Sequence, residues 1–225
     1  MPNKAFFLMV NMKASTTSFL TWVVFLLTLS SQLKAQNLNN YSFSASVGTY
    51  SQLSSTATRI SSIEADDAVS TAIPLGFPFI YLGKTYTQIY ATSNGVIALG
   101  GIPSATESNK NATDYSLTNV GASYRPILTP LWNDLGGGGS EAYYETSGTS
   151  GNRVFSLEFR NWKWRFYSSA TLSMRVNLYE ANGVVEMVYR QEASSPVNAG
   201  GSIGITGETT GSFLTKHNNI GHGEQ

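Results

Sequence analysis

Cysteine is absent from the 225 residues, which excludes disulfide staples, thiolate nucleophiles and cysteine zinc sites. Histidine is nearly so: the two present, His217 and His222, both lie close to the C-terminus. No histidine acid/base pair or histidine metal cluster can therefore be built from residues 36–216. Charge is sparse as well. Asp, Glu, Lys and Arg make up 12% of the chain, about half the usual ~25%, and Ser, Thr, Asn and Gly fill the polar positions instead. Beyond residue 36 nothing shows a sustained helical period with caps. The longest apolar run, FLTWVVFLLTL at 19–29, is shorter than the ~20 residues a membrane helix needs.

That run follows Lys13 and precedes Leu33-Lys34-Ala35, the pattern of a signal peptide cut after Ala35. AFFLMV before Met12 repeats the theme weakly, so either Met1 or Met12 can be the true start. With the leader go Lys4, Lys13 and Lys34, leaving 11 basic side chains against 14 acidic, a net charge near −3. No nucleic-acid surface follows from that balance, and no stable membrane anchor remains after cleavage. The expected organisation is a leader over 1–35, one domain over 36–214 and an unstructured, truncated-looking tail over 215–225. A mature chain of about 190 residues is long enough to core itself without staples.

The period-2 pattern is plainest in TLSMRVNLYEANGVVEMVYRQ, 171–191. Asn182-Gly183 marks a type I′ hairpin turn, which needs positive φ at both central residues. With that turn Leu178 faces Met187 and Val176 faces Tyr189, and Met174, Val176, Leu178, Val185, Met187 and Tyr189 share one apolar face. Arg175 then sits opposite Arg190, an unfavourable pair. Further strands are expected over Tyr41 to Val47, around Ile60, on both sides of Leu82-Gly83-Lys84, over Val96 to Leu99 and within Pro126 to Leu135. Others follow over Ala142 to Glu145, Arg153 to Phe166 and Ser202 to Ile205. Pro74 and Pro78 favour an edge or entry position for the strand that carries them. In Arg153 to Phe166 the parity switches between Phe159 and Trp162, which a bulge near Arg160 or Asn161 would reset; the alternative is a strand covered on both faces, with Glu158 and Arg160 at its rim. From Ser212 onward no structure is expected. The fold class is all-β, an antiparallel sandwich of jelly-roll type.

The stretches YSFSASVGTYSQL, EADDAVSTAIPLGFPFIYLGKTYTQIYATSNGVIAL, PILTPLWNDLGG, NRVFSLEFRNWKW and NLYEANGVVEMVYRQ, in that order, resemble an N-terminal module of secreted Bacteroidetes proteins. Such proteins often carry fibronectin-type repeats or a C-terminal sorting signal for type IX secretion. YLGKTYTQIYATSNG and PLWNDL are also similar, more distantly, to the nidogen-like extracellular module of adhesion proteins. The likeness spans nearly all of Tyr41 to Phe213 and implies a surface β module with no catalytic residues to carry over. The chain departs from the pattern after TTGSFL, where KHNNIGHGEQ carries neither sorting signal nor repeats. A truncated gene or fragment is the expectation, with periplasmic delivery if the sorting signal is absent.

Among single motifs, Ser202 in GGSIG matches G-x-S-x-G, but a serine hydrolase needs a strand-to-helix elbow and a later histidine; a glycine-rich β-turn is the better reading. Carboxylates could serve glycoside hydrolysis only as a pair across a cleft, and Asp67, Asp134, Glu141 and Glu158 are the candidates. Asp66, Asp67 or Asp134 could hold calcium with loop carbonyls, yet no D-x-D-x-D spacing is present, and neither metal nor cofactor is expected. Trp162, Trp164 and Phe166 project from one side of a strand. Such a row either packs in the core, where large aromatics mostly lie, or stacks a sugar together with Tyr143 or Tyr144. The leading expectation is a non-catalytic secreted or cell-surface module for adhesion, matrix or scaffold, touching a glycan or another extracellular protein. A carbohydrate-binding module is the alternative, and a carboxylate glycosidase the least favoured.

Overall fold

The computed structural model describes residues 4–12, 37–104, 116–118, 122–136, 139–164, 169, 171–194 and 200–217. Among the described residues thirteen strands pair antiparallel in two sheets, with three short 3-10 turns between them. The larger sheet runs β2 (Tyr41–Thr49), β1 (Lys4–Met12), β11 (Val185–Ala193), β10 (Thr171–Tyr179), β9 (Val154–Lys163), β8 (Glu141–Ser147), β3 (Thr58–Arg59). The smaller runs β13 (Phe213–His217), β12 (Ser202–Thr206), β7 (Ile127–Trp132), β6 (Ile97–Ala98), β5 (Lys84–Ala91), β4 (Ile73–Tyr81). One apolar cluster draws on both sheets, from Leu75, Phe79, Tyr81 and Leu128 on one side to Phe155, Leu157, Val176 and Met187 on the other. The chain is thus an all-β sandwich, as its patterning predicts.

Local chemistry explains the strands. In β4, Ile73, Leu75, Phe77, Phe79 and Tyr81 are buried while every second residue is exposed. Pro74 and Pro78 are tolerated because β4 is an outer strand of its sheet, where a missing N–H breaks no ladder on the free side. Leu82 and Gly83 both have positive φ, 51° and 75°, and Tyr81 pairs with Lys84. This two-residue loop is the type I′ hairpin.

The β10–β11 hairpin keeps its predicted faces but not its predicted register. Val176 pairs with Met187 and Leu178 with Val185, a shift of two residues that leaves the same six side chains inward. Of Asn182 and Gly183, only Gly183 has positive φ, so the loop is four residues long, with Asn182 Oδ1 accepting from Val184 N at 3.1 Å. Glu180 accounts for the longer loop: its N–H donates to Arg153 O at 2.9 Å and its carboxylate accepts from Arg153 Nε at 2.8 Å and Gly151 N at 2.9 Å. Arg190 then faces Ser173 rather than Arg175 and pairs with Glu192 at 2.5 Å.

The expected bulge in β9 is present. Between Leu172 and Met174 of β10 the partners jump from Trp162 to Phe159, and Asn161 takes φ 51° while its N–H donates to Ser173 Oγ at 3.2 Å. Two elements differ from expectation. Within the stretch from Ser212 onward, expected to be unstructured, Phe213–His217 form β13 on β12, and residues 218–225 lie outside the described residues. And part of the expected leader, Lys4–Met12, is a strand inside the larger sheet. The apolar run at 19–29 lies outside the described residues, and among those no helix is long and apolar enough to cross a membrane.

Candidate functional site

Three loops meet at one end of the sandwich, and each belongs to a motif singled out above. EADDA follows the 3-10 turn Ser61–Ile63, TSNG follows β5 and NDL follows β7. Asn94, fully buried, ties them together: its Nδ2 donates to Asp67 Oδ1 at 3.0 Å and its Oδ1 accepts from Leu135 N at 2.9 Å. Ser93 adds a second tie. Its N–H donates to Ala68 O at 2.9 Å, its Oγ accepts from Ala68 N at 3.0 Å and its carbonyl accepts from Trp162 Nε1 at 2.8 Å. Gly95, at φ 76°, lets the loop pass so close that a Cβ there would lie 1.9 Å from Leu131 O.

The convergence brings Asp66, Asp67 and Asp134 together, with one carboxylate oxygen of each within 4.8 Å of the others. Partial burial and then the neighbouring Asp67 charge push the Asp66 carboxyl above its ordinary range. Oxygen-rich clusters of this kind suit hard divalent cations. Acids this close are also common without an ion, and Asn94 already occupies one oxygen of Asp67; the cluster by itself identifies no metal.

The other carboxylates do not join it. Glu141 lies 3.6 Å from Arg59. Glu158 is fully buried on the outer face of the larger sheet, where it accepts from Tyr50 Oη at 2.5 Å, Leu53 N at 3.1 Å and Arg160 Nε at 2.6 Å. Burial and that carboxylate push the Tyr50 hydroxyl well up. A carboxylate so saturated serves packing rather than proton transfer.

The four aromatics of the ligand reading are dispersed in their roles. Trp162 is 0% exposed, because the bulge turns it inward against Phe159, edge-on at 5.0 Å. Its ring offers no face to solvent. Trp164 is half-buried and donates to Gly200 O at 3.1 Å. Tyr143 carries Arg160 over its ring at 4.1 Å, and Tyr144 leans on Phe155 at 6.0 Å. Phe166 and His222 lie outside the described residues. Ser202 is fully buried in β12, in register with Trp132, on a strand and not on an elbow.

Sequence reasoning missed Tyr50, whose partners are remote in the chain, and Arg125. That guanidinium is 5% exposed and donates to the carbonyls of Leu117 at 2.7 Å, Thr209 at 2.8 Å and Ser212 at 3.0 Å. Nothing in RPIL marks it, since a buried arginine has no local pattern. Asn94 was within reach, as the buried polar residue in a turn flanked by apolar strands.

No curated protein and no solved structure matches the chain. A family model does, over residues 40–222, and it is described as NIDO related. The match takes in all three converging loops, together with the two stretches similar to the nidogen-like extracellular module. With most of its length so matched, the chain belongs to the NIDO-related family.

Proposed function

We propose that this protein is a non-catalytic module, exported and exposed at the cell surface or beyond it, with an adhesion, matrix or scaffold role. The observation that carries the reading is the family match over residues 40–222. The way polar side chains are spent supports it. Glu158, Asn94 and Arg125 are consumed in holding loops to sheets, and of the carboxylates weighed for hydrolysis Glu141 lies beside Arg59 and Glu158 is taken up by Tyr50 and Arg160. Export through a leader cut after Ala35, which rests on the apolar run at 19–29, and delivery by a type IX route of the Bacteroidetes kind, which rests on the sequence likeness, belong to the same proposal.

The partner is another extracellular protein or a glycan. For a glycan, Trp164 and Tyr144 are the half-buried rings that remain, since Trp162 is sealed and Tyr143 lies under Arg160. The full chain expressed in an exporting host tests the proposal by three measurements: the mass of the exported product, a glycan array with and without calcium, and turnover on polysaccharide and ester substrates. The expected result is a product beginning at Gln36 that shows no turnover. Hydrolysis abolished by one carboxylate substitution would overturn the reading.

A further inference from the structure

Strand β1 stands apart from the rest of the larger sheet. It lies inside the sheet, paired with β2 from Lys4↔Thr49 to Met12↔Tyr41 and with β11 from Phe6↔Tyr189 to Val10↔Val185. Leu8 and Val10 are 1% and 0% exposed, in register with Met187 and Val185 on one side and Ala45 and Phe43 on the other. Yet the family match begins at residue 40, so the strand that completes the sheet comes from outside the matched domain, within the leader that cleavage after Ala35 would remove.

Removal opens two ladders at once. β2 and β11 each lose a row of backbone partners, and Val185 and Met187 lose their cover. Unpaired strand edges of this kind accept a strand from elsewhere. The gap has reason to stay open, because β2 is pinned at both ends without β1. Tyr41, 2% exposed, packs 5.4 Å from Tyr81 and bonds Leu82 N through its hydroxyl. Tyr50, 3% exposed, is bonded to Glu158 and lies under Arg190 at 4.6 Å. Between the pins, Ser44, Ala45 and Ser46 are exposed even with β1 in place. Two strand spacings, about 9.5 Å, then separate β2 from β11.

We propose that this slot is a strand-acceptor site in the exported protein, and that its occupant is an extended segment of another polypeptide. The inference rests on the leader cleavage proposed above. The occupant runs antiparallel to both walls and carries large aliphatic side chains at the positions of Leu8 and Val10. At the position of Met9 it is not acidic, because that position faces Glu186, a carboxylate 7% exposed and already bonded to Asn177 Nδ2 and Tyr179 Oη at 2.7 Å each. The described part of this chain has no spare strand to offer: its last, β13, is already paired with β12.

The test uses the exported protein as purified, with its intact mass, its native mass and its amide hydrogen exchange. The probe is a synthetic peptide of residues 4–12 with two added lysines. The expected product begins at Gln36, with amides of Val185–Tyr189 exchanging quickly alone and about tenfold or more slowly with the peptide. A peptide carrying Leu8→Asp and Val10→Asp should give no slowing. Where the native mass contains a second polypeptide, its dissociation should turn these amides quick and the peptide should slow them again; amides that stay slow after its dissociation overturn the slot. A product that begins at Gln36, is slow without any second chain, and so has closed β2 onto β11 overturns the slot alone; so does a peptide without effect on quick amides. A product that retains residues 4–12 overturns the slot and the cleavage reading together.

Discussion

The Tyr50 hydroxyl donates to the Glu158 carboxylate at 2.5 Å, joining residues 108 apart on the side of the larger sheet that faces away from the smaller one. Polar side chains on that side are buried too: Ser156, Asn177 and Glu186 are 7%, 5% and 7% exposed. Residues 50–53 cross over it, and Arg175 Nη1 donates to Ser51 O at 2.8 Å. Tyr50→Phe leaves one carboxylate lobe buried with a partner fewer, at a cost of about 1–3 kcal/mol. Glu158→Ala also strands Arg160, and about 3–5 kcal/mol is expected. Urea unfolding of both single variants and the double variant checks this, with a coupling above about 0.5 kcal/mol expected. Strict additivity would mean that the contact contributes nothing of its own.

Trp162 separates packing from ligand binding. Its ring is fully buried against Phe159 with its N–H on Ser93 O, so Trp162→Ala should cost about 3–5 kcal/mol. Trp164→Ala, at a half-buried ring, should cost less. Acrylamide quenching with Trp22 replaced by Phe gives an independent reading: of Trp132, Trp162 and Trp164, the first two are 0% exposed and only the third should be quenched readily. Ready quenching that survives Trp164→Ala would contradict the burial.

These residues also show what can be read from a linear chain. The alternation Ile73, Leu75, Phe77, Phe79, Tyr81 and the phase change at Asn161 are local, so strand and bulge were both legible. Turn chemistry was only partly so. Leu82-Gly83 adopts the two-residue turn despite the bulk of Leu82, whereas Asn182-Gly183, the stronger local signal, is overruled by Glu180, which Arg153 holds. The acid cluster was legible as composition but not as geometry, because EADDA and WNDL approach only once Asn94 is placed between them. Glu158 had the alternation of a rim residue; its burial depends on a segment more than a hundred residues away, which no local pattern reports.

Gly95 is the tightest point of the loop end. A Cβ 1.9 Å from Leu131 O cannot be accommodated by a side-chain rotation, and φ 76° is strained for alanine besides. Gly95→Ala should therefore cost more than about 3 kcal/mol or prevent folding. Gly151→Ala is the control. It shares a positive φ of 85° with nothing within 4 Å of the added atom, so only the backbone penalty of about 1–2 kcal/mol remains. Thermal unfolding of the two variants should rank them in that order, and equal losses would refute the close approach.

Two carboxylates should move stability in opposite directions with pH. Arg153 holds Glu180 down to about 2, below the ordinary unfolded value of about 4.3. The charged form is the one the fold favours, so its contribution is present above about pH 4.3 and is lost as pH falls toward 2. Asp66 is pushed up by burial and then by Asp67, so the fold disfavours its charge, and the penalty grows as pH rises through the unfolded value of about 3.9. Glu180→Gln should accordingly lower the melting temperature at pH 7, with the difference closing toward pH 2. Asp66→Asn should raise it at pH 7, with the gain gone by the time the pH is below about 3.9. Melting curves from pH 2 to 7 test both at once, and a loss of stability in Asp66→Asn at pH 7 would show that its charge is held by something that favours it.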